Sequence, residues 1–219
     1  MQPKTFSYHD ITLVKLRALG HGQAAKVHKV YDVHSPSHPL ALKIYHPTDT
    51  GTGCLQRFLT EGVAARAKLG PNPGYVDLAY TPYPEKRMTL FELAKGEVLK
   101  RSLIKYRSSL SRFFLSVVIA HKMWPHISDA AERGIAHDDM KPDNIAIDGS
   151  KGIDPKLILG IEAPIITLPT TATLFDIDLM KRVGYDQDDN VVGTPLYMSP
   201  EKCVGEAGPN SEKYTFGTS

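Results

Sequence analysis

Three residue types that phosphoryl transfer needs stand close together in the run His137-Asp138-Asp139-Met140-Lys141-Pro142-Asp143-Asn144. Asp139 is a carboxylate able to orient an attacking hydroxyl and accept its proton. Lys141 follows it closely and offers a cation for the transferring group. Asn144 brings an amide oxygen for a metal ion. Such a transfer asks little covalent chemistry of a protein; it asks for these groups held together in place. The run follows Gly134-Ile135-Ala136 and precedes the apolar Ile145-Ala146-Ile147, so one short loop carries all three.

A second group of residues suits nucleotide phosphates. Leu19-Gly20-His21-Gly22-Gln23-Ala24-Ala25-Lys26-Val27 closes one strand and opens another, and glycine lets backbone N–H groups approach a phosphate. Two glycines in a hairpin are more often only a turn, and Lys43 is what gives them weight. It lies in Ala41-Leu42-Lys43-Ile44 on the returning strand, where an inward lysine needs an anionic partner. An outward edge lysine is the alternative. Glu61, the only acid between Leu55 and Leu69, is the candidate to hold Lys43, with a solvated helix glutamate as the alternative. In Leu174-Phe175-Asp176-Ile177-Asp178 a strand leads into an aspartate, and Asp176 is the expected metal ligand, with Asp178 as the alternative.

These runs resemble protein kinases of the Ser/Thr type. The first resembles their catalytic loop H-R-D-L-K-P-x-N, and the glycine run resembles G-x-G-x-x-G-x-V with Ala25 in place of the third glycine. Lys43 resembles the lysine of V-A-I-K. Thr89-Leu90-Phe91-Glu92-Leu93-Ala94-Lys95-Gly96 resembles the hinge, with Phe91 as gatekeeper and the backbone of Glu92 and Ala94 against adenine. Gly193-Thr194-Pro195-Leu196-Tyr197-Met198-Ser199-Pro200-Glu201 resembles the end of the activation segment, G-T-x-x-Y-M-A-P-E. The resemblance runs from about Leu13 to Glu201. It implies an α+β, two-lobed kinase-like fold with a reduced C-lobe: residues 1–94 as the N-lobe and 95–219 as the C-lobe, with ATP between them. Gly20, Gly22 and Val27 would line the nucleotide, Lys43 held by Glu61 would bind its α- and β-phosphates, and Mg²⁺ would sit on Asn144 and Asp176. Lys141 would neutralise the γ-phosphoryl, and Asp139 would orient a Ser/Thr hydroxyl of a protein substrate.

The bulk composition excludes other classes. The chain has 219 residues, 42% hydrophobic and 23% charged, with a net charge of +2. That balance argues against nucleic acid as a main partner, and no apolar run is long enough for a membrane span. The N-terminus lacks the form of a cleavable signal peptide. Cys54 and Cys203 lie far apart with no metal spacing and read as reduced thiols of a cytoplasmic protein. Strands are expected through residues 11–46, with Val27 to Val33 alternating, a turn over 34–39 and a return over 40–45. A helix is expected from Leu55 to Leu69, a strand from Arg87 to Leu93, and helices over 98–133 with Leu110, Phe113, Phe114, Val117, Val118 and Ala120 as the buried face. Residues 149–173 read as an inserted hairpin.

The departures from the kinase pattern carry expectations of their own. Asp138 stands where the pattern has arginine, which in many kinases binds a phosphorylated activation-loop residue; an aspartate repels that phosphate. Activity is therefore expected without phosphorylation at Thr194 or Tyr185. Asp178 in place of glycine restricts the backbone after Asp176. Only eighteen residues follow Glu201. The chain is then either a truncated piece or a minimal kinase similar to the small effector kinases that bacterial pathogens secrete into the host cytoplasm, some of which act on host heat-shock chaperones. A catalytically weak pseudokinase that holds nucleotide as a scaffold is the rival reading.

Overall fold

The computed structural model describes residues 4–22, 24–47, 53–105, 109–149, 151–153, 166–168, 171–183, 194–203 and 209–218. Its contacts divide the chain into two compact units, residues 1–63 with 76–93, and residues 64–75 with 94–219.

The first unit is built on a five-stranded antiparallel sheet in sequence order: β1 (Thr5–Tyr8), β2 (Ile11–His21), β3 (Ala25–Asp32), β4 (Ser35–Tyr45) and β5 (Met88–Glu92). The expected turn over 34–39 is a correction: β4 begins at Ser35, so the β3–β4 turn tightens to Val33-His34. The alternating pattern sorts the side chains. Tyr8, Leu13, Val30, Leu40, Leu42, Met88 and Leu90 form a fully apolar core on one face. On β4, Ala41, Lys43 and Tyr45 fall on the opposite face, and register adds Val27 and Thr89 beside Lys43 and Phe91 beside Ala41. A helix covers that second face. It runs as α1 (Cys54–Arg57), a π-helical segment (Phe58–Gly62) and α2 (Val63–Leu69). Leu55 packs with Ala25 and Tyr45, with Leu59 against them, and the Phe58 ring lies 5.7 Å from that of Phe91. Gly70, in left-handed backbone at φ 64°, ends the helix, and its carbonyl accepts from the Arg66 guanidinium.

The second unit carries α3 (Leu99–Lys105) and the long α4 (Ser109–Glu132). The buried stripe of α4 is Leu115, Ile119, Met123, Ile127, Ala130 and Ala131. The expected face is thus displaced: Phe113 and Val117 are exposed, as is Ala120, Phe114 and Val118 are half-buried, and the side chain of Leu110 lies outside the described residues. The loop Asn72-Pro73-Gly74-Tyr75 is fastened to α4, with the Asn72 amide donating to Asp129 Oδ2 at 3.0 Å and to the His126 carbonyl at 3.3 Å. Any Cβ at Gly74 would collide with the His126 side chain, so only glycine allows this approach.

Short strands complete the unit. β6 (Glu97–Val98), β8 (Ile145–Asp148) and β11 (Thr171–Leu174) form one sheet in the order β11-β8-β6. β7 (Ile135–Ala136) pairs with β12 (Lys181–Arg182). β9 (Lys151–Ile153) and β10 (Ile166–Leu168) pair antiparallel, as the expected hairpin requires, and residues 154–165 lie outside the described ones. α5 (Pro200–Cys203) and α6 (Pro209–Thr218) end the described chain. Among the described residues no helix is long and apolar enough to cross a membrane.

Candidate active site

The loop after β7 gathers its chemistry around one carboxylate. Lys141 Nζ donates to Asp139 Oδ2 at 2.6 Å, and the Asn144 amide donates to the same oxygen at 3.0 Å and to the Asp139 carbonyl at 2.8 Å. The Thr194 hydroxyl donates to Asp139 Oδ1 at 2.6 Å and accepts from Lys141 Nζ at 2.9 Å. Every side chain in this ring is half-buried or buried, where such charge-assisted bonds are strong. Sequence reading placed Thr194 in the activation-segment run and as a place for a phosphate but not among the site residues, and the structure sets it against Asp139 and Lys141. The signal was present: a hydroxyl directly after glycine, in a run already aligned with the site.

The loop's shape follows from two local features. Asp138 takes left-handed backbone at φ 70°, a conformation aspartate tolerates better than most residues. His137, fully buried, donates from Nε2 to the Phe175 carbonyl at 3.0 Å, and its Nδ1 faces the Asp139 N–H at 3.4 Å. The carbonyl partner fixes the Nε2–H tautomer. Pro142–Asn144 then forms a single 3-10 turn, with proline at its start.

Register brings Asp176 to the same place. Ile145 on β8 pairs with Leu174 on β11, and the Phe175 N–H donates to the Asn144 carbonyl at 2.9 Å. Asn144 and Asp176 therefore sit at adjoining ends of one strand pair. Asp176 has left-handed backbone at φ 61°, and Asp178 is buried in the 3-10 turn Ile177–Leu179 that follows. Because the Asn144 nitrogen is spent on Asp139, its amide oxygen is the atom offered to a hard cation. Among the described residues no group of three or more His, Cys, Asp or Glu could hold a metal by itself.

The first unit supplies its own set. Lys43 is buried on the helix-covered face, with Val27 and Thr89 as its register neighbours and the Tyr45 ring 5.6 Å from its Nζ. Glu61 is half-buried in the π-helical segment, a distortion that gathers at functional sites. Gly20 lies near the end of β2 and Gly22 in the β2–β3 turn, which is closed by Gly22 N–H to the Ala25 carbonyl at 2.9 Å. The fold itself requires neither glycine. Neither backbone is left-handed, a Cβ at Gly20 would meet nothing, and one at Gly22 would touch only the Ala25 carbonyl at 3.7 Å. Phe91 is buried against Phe58. The Glu92 N–H bonds the Asp77 carbonyl at 2.9 Å and its carboxylate pairs with His38 at 2.8 Å. Ala94 is half-buried and belongs to the second unit.

The family model for the protein kinase domain matches residues 13–217. The Ser/Thr-protein kinase PknD of Chlamydia pneumoniae is 28% identical over 218 residues, covering 92% of this chain and 23% of its own length. The yeast (Saccharomyces cerevisiae) Ser/Thr-protein kinase CHK1 is 25% identical over 195 residues, covering 87% of this chain and 34% of its own length. The chain thus spans about a quarter to a third of the curated relatives it matches. A kinase-domain crystal structure superimposes with a TM-score of 0.70 at 17% identity, over 97% of this chain and 65% of that one. The chain belongs to the protein kinase domain family.

Proposed function

We propose that the chain is an ATP- and Mg²⁺-dependent protein Ser/Thr kinase. The observation that carries this reading is the ring of Lys141, Asn144 and Thr194 around the Asp139 carboxylate. Asp139 orients the acceptor hydroxyl and takes its proton as the new O–P bond forms and the bond from the γ-phosphorus to the bridging oxygen breaks, releasing ADP. Lys141 fixes one oxygen of that carboxylate and offers positive charge to the transferring group. Asn144 and Asp176 are the metal ligands, with Asn144 turned to present oxygen. Mg²⁺ bound there would draw charge from the phosphate oxygens. In the first unit, Gly20, Gly22 and Val27 line the nucleotide, Lys43 takes its α- and β-phosphates, and Glu61 holds Lys43. Phe91 and the backbone of Glu92 and Ala94 meet the adenine.

The Ser/Thr assignment draws support from the named activity of the relatives and from Lys141 bonding Thr194 beside the base. Size carries no argument for a bacterial effector, because the chain spans only part of the relatives it matches. The test is incubation with labelled ATP, Mg²⁺ and a generic protein substrate, followed by phosphoamino acid analysis. The reading expects phosphoserine or phosphothreonine; phosphotyrosine alone, or ATP binding with no transfer, contradicts it.

A further inference from the structure

Asp138 departs most sharply from the kinase pattern, and its surroundings are equally unusual. Its side chain is 2% exposed and lies between two lysines from different segments. Lys202 Nζ, itself 6% exposed on α5, stands 2.6 Å from Oδ1 and also donates to the Asp138 carbonyl at 2.7 Å. Lys181 Nζ, 15% exposed on β12, stands 3.0 Å from Oδ2. α5 is fastened on its other side, where Glu201 accepts from the Ser211 hydroxyl of α6 at 2.9 Å.

We propose that Asp138, Lys181 and Lys202 form a permanent ionic clamp that positions the loop bearing Asp139 against the segment bearing Thr194. This inference rests on the kinase reading. Three charges taken out of water are costly, and apolar residues of similar volume would hold the segments together as well or better. What the charges add is fixed geometry. Lys202 grips both the carboxylate and the backbone of the residue next to Asp139, and the chain from Thr194 to Lys202 passes through Ser199, which is fully buried. Lys181 ties the same carboxylate to the strand that follows Asp176. The clamp joins the elements that carry Asp139, Asp176 and Thr194 through the chain's own side chains, so no added phosphate is needed to align them. The three are positioning residues, acting through Asp139 and Thr194.

The test compares kcat and KM in the full chain for wild type, Asp138→Asn, Lys202→Met and the reciprocal double variant Asp138→Lys with Lys202→Asp. A catalytic carboxylate displaced by an ångström costs about 100-fold in rate. The single variants are expected to lose kcat on that scale while KM for ATP changes by less than about 2-fold. The double variant is expected to regain about tenfold or more over the singles. Asp138→Asn with wild-type kcat overturns the clamp, as does a folded double variant no better than the singles. Where these variants fail to fold, Lys181→Met carries the test, since it removes only the more exposed arm. A loss of about tenfold in kcat supports the clamp, and an unchanged kcat overturns it. A wild type that transfers no phosphate defeats the kinase reading and the clamp together. A transferring wild type matched by its variants defeats the clamp alone.

Discussion

The Thr194 hydroxyl donates to Oδ1 of Asp139 at 2.6 Å while Lys141 holds Oδ2 of the same carboxylate at 2.6 Å. Both oxygens are thereby fixed before any substrate arrives. A hydrogen bond to a charged group is worth about 1.5–3 kcal/mol. Thr194→Ala should therefore lower kcat by about 10- to 100-fold, and Thr194→Ser should retain most of it. Steady-state kinetics on a protein substrate decide this; equal rates for Thr194→Ala and wild type would remove Thr194 from the site.

The same geometry bears on regulation. Thr194 already spends its hydroxyl on Asp139 and Lys141, and Asp138 is occupied by two lysines. Protein treated with a phosphatase and shown by mass spectrometry to carry no phosphate should keep its initial rate. Protein that stays inert until its activation segment is phosphorylated would contradict this.

Among the glycines described in the second unit, Gly96 leaves the least room for a side chain. It has φ 88°, and a Cβ there would run into the Ile147 carbonyl of β8. Left-handed strain costs about 1–2 kcal/mol, and the clash with backbone adds to it. Gly96→Ala should lower unfolding stability by about 2–4 kcal/mol, read by urea titration. A change below about 0.5 kcal/mol would show that the β6–β8 contact yields easily.

Two histidines, buried His28 and half-buried His126, set an acid limit on stability. Burial pushes the pKa of His28 down, helped by Lys15, Lys4 and Lys26 nearby. Burial also lowers that of His126, against an opposing pull from Asp129. Each is neutral in the fold and takes a proton more readily in the unfolded chain, near the ordinary 6.5. Their contribution is intact above that pH and is lost as pH falls through and below it. The thermal midpoint should drop between about pH 7 and pH 5, and the drop should shrink in His28→Phe, which keeps the ring stacked on Phe6. An unchanged drop in that variant would place the acid sensitivity elsewhere.

The sequence disclosed what depends on local spacing. Asp139, Lys141 and Asn144 share one loop, so their order nearly determines their meeting. Lys43 was legible because strand alternation puts it beside Tyr45 and away from Leu42, and the apolar core took the Leu42 face. The buried face of α4 was misread for a physical reason. The helix carries apolar residues on more than one stripe, and only its packing partners choose between Leu115-Ile119-Met123 and Phe113-Val117. The lysine clamp was hidden for another. Lysines are rarely buried, and nothing in the local sequence pairs Lys202 with a carboxylate 64 residues earlier. Asp138 was recognised as a departure, but its partners came only with the fold.

The central claim is that Asp139 and Asp176 serve phosphate transfer and not folding. The most direct measurement is transfer from labelled ATP to a protein substrate by wild type, Asp139→Ala and Asp176→Ala, with thermal unfolding of each recorded beside it. The account predicts clear transfer by wild type, a loss of about 1,000-fold or more in both variants, and folded protein in all three. Transfer that survives in both folded variants, or that is absent from wild type, would contradict it.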